Sequence, residues 1–263
     1  MKIKLLCAAA ALAIGFASEA AFADEASPIT VTGSAAVVSQ YRFRGIAQSD
    51  NKPAVQASIT VSHSSGFYVS MWGSSGASST VHSDGTAYLS PNEGTEIDVY
   101  GGYTKALAGV TVDVGLYGYI YPNASQYNLF EVYGSVAKSF GPITGKLGLN
   151  WAPKQNYFTN AGTATQYSMY EYGELSYANG PFTLHGHLGH TGGGLNFVKE
   201  YIDYTVGASY KYKMLTFDIS AVGTNISKSD IANAGLGAVG SLGNKSTFRY
   251  GKLVPVASLT ASF

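Results

Sequence analysis

In the stretch Leu184-His185-Gly186-His187 two imidazoles stand two residues apart. On an extended segment that spacing puts both on one face, a geometry able to ligate zinc or copper. No third ligand is identifiable nearby in sequence, and two polar side chains facing a wet interior account for the pair without a metal. Gly235-Leu236-Gly237-Ala238-Val239-Gly240 has the G-x-G-x-x-G spacing of a dinucleotide loop, which requires a following helix and an acidic residue about 20 positions on. After Asp230 the sequence contains neither Asp nor Glu, so this is read as a glycine-rich loop. Gly243-Asn244-Lys245-Ser246 ends like a phosphate-binding loop but carries Asn where Gly is required. A serine–histidine hydrolase would have to draw on His63, His82, His185, His187 or His190. His63 and His190 have outward parity, but each ends its segment and no serine spacing supports a dyad. The expectation is a non-enzyme without cofactor or metal.

The charged residues point to a different chemistry, because parity sorts them onto the polar faces of alternating segments. Arg42, Arg44, Lys146 and Lys211 share those faces with Glu96, Asp98, Asp113, Glu131, Glu174, Asp203 and Asp218, four basic against seven acidic. Charges lining a pore tune its selectivity, so such a face around water leans toward cations. The alternative is that the charges pair across the interior and plug it. Arg42 and Arg44, beside the 45–52 loop, either capture anionic solutes or neutralise Glu96 and Asp98. Tyr68, Trp72, Tyr100, Tyr117, Tyr119 and Tyr133 form an inward aromatic set on neighbouring segments, suited to stacking flat solutes or to packing the interior. With Tyr117, Tyr119, His185 and His187, these charges make up the candidate pore-lining residues.

The elements that carry them are strands. The 263 residues include 32 Gly, 20 Tyr and 12 Phe and only 12% charged residues, against about 25% in soluble domains. Period-2 alternation recurs along the chain while a 3.6-residue period does not, which predicts an all-β fold. Twelve strands are drawn at 29–45, 53–63, 67–75, 95–104, 109–121, 127–139, 143–152, 168–178, 181–191, 200–212, 214–224 and 246–263. In 143–152, for example, Ile143, Leu147, Leu149 and Trp151 oppose Thr144, Lys146 and Asn150.

Connections alternate in length. Short turns fall at 64–66, 105–108, 139–142, 178–181 and near 213, and long loops at 44–52, 76–94, 122–126, 153–167, 191–200 and 225–245. Sorted loops, with Phe67, Tyr103, Phe140, Tyr177, Phe182, Tyr210, Tyr212, Phe217 and Phe263 near the short turns, predict a transmembrane antiparallel up-and-down β-barrel. Only a closed sheet satisfies its backbone in hydrocarbon. A β-sandwich would alternate too but would mix loop lengths at both ends.

Lys2, Lys4, the apolar run 5–16 and Ala21-Phe22-Ala23 read as a cleaved signal peptide over 1–23, followed by a barrel domain over 24–263 without cysteine. The last strand, ending on Phe263, is expected to close against the first and to be read by the barrel-insertion machinery. Balanced formal charge gives no sign of a nucleic-acid partner.

Ser39-Gln40-Tyr41-Arg42-Phe43-Arg44-Gly45-Ile46, then Pro53-Ala54-Val55-Gln56, His63, Ser65-Gly66-Phe67-Tyr68 and Trp72, resemble the opening signature of the TorF family of porins. Glu96-Ile97-Asp98-Val99-Tyr100-Gly101-Gly102-Tyr103 and Gly115-Leu116-Tyr117-Gly118-Tyr119-Ile120-Tyr121-Pro122 are also similar to it. The resemblance is dense over 34–135 and looser beyond; Gly73-Ser74-Ser75 departs from the family's Gly-Ser-Asn in a loop. It implies a bacterial outer-membrane barrel, surrounded by lipid and passing small hydrophilic solutes, and supplies no catalytic residues. A barrel with an occluded lumen, acting through its outer loops in adhesion or envelope structure, is the alternative.

Overall fold

The computed structural model describes residues 27–76, 94–122, 124–161, 163–196, 198–233 and 248–263. The segment read as a signal peptide, His82, most of the 76–94 loop and both glycine-rich motifs after residue 234 lie outside these residues. The strands are β1 (Ile29–Val38), β2 (Arg42–Phe43), β3 (Ile46–Ala47), β4 (Ala54–His63), β5 (Phe67–Ser75), β6 (Thr95–Leu107), β7 (Val110–Ile120), β8 (Leu129–Phe140), β9 (Ile143–Ala152), β10 (Ser168–Asn179), β11 (Phe182–Gly193), β12 (Tyr201–Tyr212), β13 (Leu215–Thr224) and β14 (Val254–Ser262). All but β2 and β3 join in one closed barrel of twelve antiparallel strands, in which each pairs with its sequence neighbour and β1 pairs with β14. No described helix is long and apolar enough to cross a membrane.

Alternation fixes the faces. On β7 Val114 and Leu116 point outward, Leu116 being 66% exposed, whereas Asp113, Tyr117 and Tyr119 point inward and are buried. On β9 Leu147 and Trp151 are exposed and Asn150 is buried. The outward surface is thus a band of Val, Leu, Ile and Phe suited to hydrocarbon, and the packed interior is polar and aromatic, the reverse of a soluble domain. At the short-turn rim, rings pair across strands: Phe67 with Tyr103 at 4.9 Å between centroids, and Phe182 with Tyr210 at 5.0 Å. Residues Ala108 and Gly109 turn the β6–β7 hairpin with φ of 49° and 79°, both left-handed as a type I′ turn demands.

The seam closes at the chain's far end. Gly33 N–H donates to the Phe263 carbonyl at 2.8 Å and Phe263 N–H to the Gly33 carbonyl at 2.9 Å. The Phe263 ring covers Gly33, where a Cβ would stand 2.7 Å from ring atom Cζ.

Two strand boundaries differ most from those drawn from the sequence. The first strand stops at Val38 rather than near residue 45, and the last begins at Val254 rather than at 246. Alternation continues through Tyr41-Arg42-Phe43, but the backbone turns left-handed at Arg44 (φ 46°) and Gly45 (φ 76°), then again at Asp50 and Asn51, and leaves the wall.

Inward glycines make room for interior rings. A Cβ on Gly148 would lie 2.2 Å from Cζ of Tyr172. Gly148→Val is therefore expected to destabilise the barrel by about 1–3 kcal/mol through overpacking. Gly145→Ala, whose Cβ meets nothing within 4 Å, should leave stability unchanged; urea unfolding in detergent micelles followed by tryptophan fluorescence measures both.

Candidate functional site

Residues 39–53, between β1 and β4, fold into the barrel as a strap built on the β2–β3 pair. Internal bonds hold its shape: Gln48 N–H donates to the Tyr41 carbonyl at 2.8 Å, Tyr41 N–H to Ser49 Oγ at 2.8 Å, and Ser49 Oγ–H to the Lys52 carbonyl at 2.6 Å. Its tip touches the wall at β12 and β13, because a Cβ at Gly45 would lie 2.7 Å from Cγ2 of Thr224 and 2.8 Å from Cβ of Asp203. Positive φ and this contact together admit only glycine there.

The strap's charged residues fasten it. Arg44 Nη2 donates to both oxygens of Glu131 at 2.8 Å, and its guanidinium lies 4.7 Å from the Phe43 ring centre and 4.2 Å from that of Tyr170. Both partners of this ion pair are buried. Arg42 Nη1 donates to the carbonyls of Gly45 at 2.9 Å and Tyr250 at 2.7 Å, and Nη2 to Asn51 Oδ1 at 2.7 Å. Tyr41 Oη–H donates to Glu96 Oε1 at 2.6 Å. Strand alternation would set Tyr41 on the outward face with Phe43; it is buried inside instead, because the chain has already left the wall. Arg42 and Arg44 likewise sit on an inserted segment rather than on a first strand running to the mouth.

Within the strap, Asp50 accepts from Tyr250 Oη at 2.9 Å, pairs with Lys52 at 3.1 Å and contacts Arg249. Partial burial pushes the Asp50 carboxyl up, but the bonds from Lys52 and Tyr250 and the Arg249 charge outweigh it and hold it below its usual range. Ile46 of the strap packs with Tyr201, Ile226 and Ile231, the last on the short helix Lys228–Asn233.

Below the strap, tyrosine hydroxyls meet carboxylates along β5–β8. Tyr117 donates to Asp98 Oδ2 at 2.7 Å and Tyr119 to Glu131 Oε2 at 3.1 Å, and Tyr68 reaches Asp113 at 3.0 Å while also contacting Tyr133. Asn150 Nδ2 adds a bond to Glu131 at 2.9 Å. Tyr100 and Tyr117 stack at 4.7 Å, and Tyr41 leans on Trp72 at 5.3 Å. Glu96, Asp98, Asp113 and Glu131 are all at most 2% exposed. On this side the aromatic set is packed, not open.

Along β9–β13 the imidazoles turn to separate carboxylates. His185 Nε2 lies 2.7 Å from Asp218, which Ser220 also bonds. His187 Nε2 lies 2.7 Å from Tyr170 Oη and 3.1 Å from Asp203, and its Nδ1 is 3.5 Å from Glu174. Lys146 pairs with Glu174 at 3.7 Å. Lys211 is partly exposed near the short-turn rim. The remaining wall is plain by contrast: Ser34 on β1, Ser58, Thr60 and Ser62 on β4, and Ser258, Thr260 and Ser262 on β14 face inward and stay partly exposed.

Residues 22–250 match the family described as bacterial protein of unknown function, Gcw_chp. This chain belongs to that family. The barrel of this Gcw_chp protein is similar to the NanC porin, with a TM-score of 0.52 and 12% identity over 89% of this chain and 99% of that one. It is similar to the KdgM porin in complex with disordered oligogalacturonate, with a TM-score of 0.51 and 11% identity over 89% and 99%. Those likenesses establish a porin-type barrel fold. No curated protein matches the sequence of the Gcw_chp chain.

Of the charged candidates read from the Gcw_chp sequence, Arg44 and Glu131 meet each other, as do Lys146 and Glu174, His185 and Asp218, and His187 and Asp203. Arg42 does not reach Glu96 or Asp98; it binds backbone carbonyls and Asn51. Tyr170 and Tyr172, which join this network, were missed, although their parity with Glu174 on β10 points them inward. Among the described residues the two outward histidines form local pairs: His63 with Ser65 at 2.7 Å inside a turn, and His190 with Glu171 at 3.1 Å.

Proposed function

We propose that this chain is a TorF-type porin of the bacterial outer membrane, passing small hydrophilic solutes by diffusion through a lumen that the 39–53 strap narrows. The observation that carries this is the strip of partly exposed Ser and Thr on β14, β1 and β4 beside a packed, tyrosine-held wall. Hydroxyls both donate and accept, so they replace part of a solute's hydration without a fixed charge. The candidate acids Glu96, Asp98, Asp113 and Glu131 then set the internal framework, while Glu174, Asp218 and Lys211, nearer water, bias which ions pass.

In this reading the mature barrel spans 24–263 after removal of 1–23, the insertion machinery engages β14 with its Phe263 ring, and the protein is not an enzyme. KdgM is in complex with disordered oligogalacturonate in its structure, whereas the acids nearer water here, Glu174 and Asp218, outnumber Lys211 and favour neutral or cationic solutes. Purified, heat-modifiable protein added to a planar lipid bilayer is expected to give discrete conductance steps with weak cation preference. Correctly folded protein that gives no step at any voltage overturns the channel. That outcome favours the second reading, an occluded barrel acting through its loops, for which the buried Arg44–Glu131 clasp speaks.

A further inference from the structure

A glycine inside a strand weakens it and marks a place where something else approaches closely. For inward glycines of this barrel that something is internal: a Cβ would stand 2.2 Å from Tyr170 Oη at Gly189 and 2.5 Å from His185 Cε1 at Gly207. Three outward glycines have no such neighbour. A Cβ on Gly145 meets nothing within 4 Å, on Gly173 it meets Leu147 Cδ2 at 3.4 Å, and on Gly186 the Thr205 carbonyl at 3.7 Å, all open space or ordinary contact. None of the three has a positive φ.

They occupy adjacent strands in staggered register: Leu175 pairs with both Gly145 and Gly186, while Gly173 pairs with Leu147 and Leu188. The outcome is an apolar groove of about 630 Å³ across the outward wall of β8–β12, with the glycines as floor and Val136, Leu147, Leu175, Leu188 and Val206 as walls. At its short-turn end lies exposed Lys138, directly across from Gly145, with its ammonium 4.9 Å from the Phe140 ring centre. Among the described residues no ion pair engages Lys138.

We propose that this groove seats one acyl chain of a glycerophospholipid whose headgroup phosphate lies on Lys138. The assignment rests on the barrel standing in a bilayer. Hydrocarbon is the surrounding medium, so the occupant of the floor is apolar; the unpaired cation at the rim selects an amphiphile with an anionic head over an uncharged one. A second copy of the chain fits worse. A two-fold partner presents the same surface, and a concave face set against itself encloses a void.

The test uses the purified full-length barrel, stripped of lipid in a neutral detergent and titrated with phosphatidylglycerol, with bound lipid counted by native mass spectrometry. Wild type is expected to retain one lipid about tenfold more tightly than Gly145→Leu/Gly186→Leu, the scale of two buried methylenes. Lys138→Gln should lose affinity for phosphatidylglycerol while binding diacylglycerol as wild type does. Equal retention by wild type and both variants overturns the proposal, as does a dimer mass that disappears on filling the groove. Should the double-leucine variant fail to fold, Lys138→Gln against the two lipids carries the test alone. A barrel that needs no detergent to remain in solution would instead defeat the membrane reading on which the proposal stands.

Discussion

Arg44→Ala is expected to free the strap and raise single-channel conductance several-fold while leaving the barrel wall intact. Removing one partner of a buried ion pair costs about 3–5 kcal/mol, because the other charge is left buried without its counter-ion. Glu131 would keep only the bonds from Tyr119 and Asn150. That penalty falls on the docked strap alone, since undocking lets water reach Glu131. The strap also loses the contacts of its guanidinium with Phe43 and Tyr170, each worth about 0.5–2 kcal/mol. Arg44→Ala combined with Glu131→Gln should recover part of the closure by removing the stranded charge. Bilayer recordings and cleavage within 39–53 by added protease read the two effects together; unchanged conductance and unchanged protection in Arg44→Ala would mean that the clasp does not hold the strap.

Leu116→Arg is expected to prevent stable membrane assembly. Leu116 lies mid-strand on the outward face of β7 and is 66% exposed. In water such a change is nearly neutral, whereas a cation at mid-bilayer on a barrel costs about 2–4 kcal/mol. Thr60→Arg, of opposite parity on β4, should assemble and alter only conduction. Recovery in the outer-membrane fraction and heat-modifiable gel mobility distinguish the two. A folded, freely soluble Leu116→Arg protein would show that the apolar band faces something other than lipid.

The wall was legible in the sequence because a pleated strand enforces a period of two, and a barrel with lipid outside and polar groups inside displays that period without interruption. Ile143, Leu147, Leu149 and Trp151 against Lys146 and Asn150 suffice to orient β9. The strap was not legible for the same reason. Tyr41-Arg42-Phe43 keeps the alternation, and what turns it inward is a left-handed pair, Arg44-Gly45, held by the bond of Arg44 to Glu131 and by that of Arg42 to the Tyr250 carbonyl far along the chain. Parity says which way a side chain faces and is silent on what stands across the lumen. It placed Asp98 and Tyr117 on the same side without showing that one bonds the other. It placed Arg42 and Arg44 near acids without separating the one that meets a carboxylate from the one that caps carbonyls.

The pairing of Gly33 with Phe263 joins residues at opposite ends of the barrel sequence. Until the last strand arrives, β1 and every growing sheet behind it carry an unpaired edge, a template for aggregation. The contact that removes both edges has the longest loop to close, which makes folding slow and of high contact order. The exposed edges therefore last until the final hydrogen-bond ladder between β1 and β14 is made.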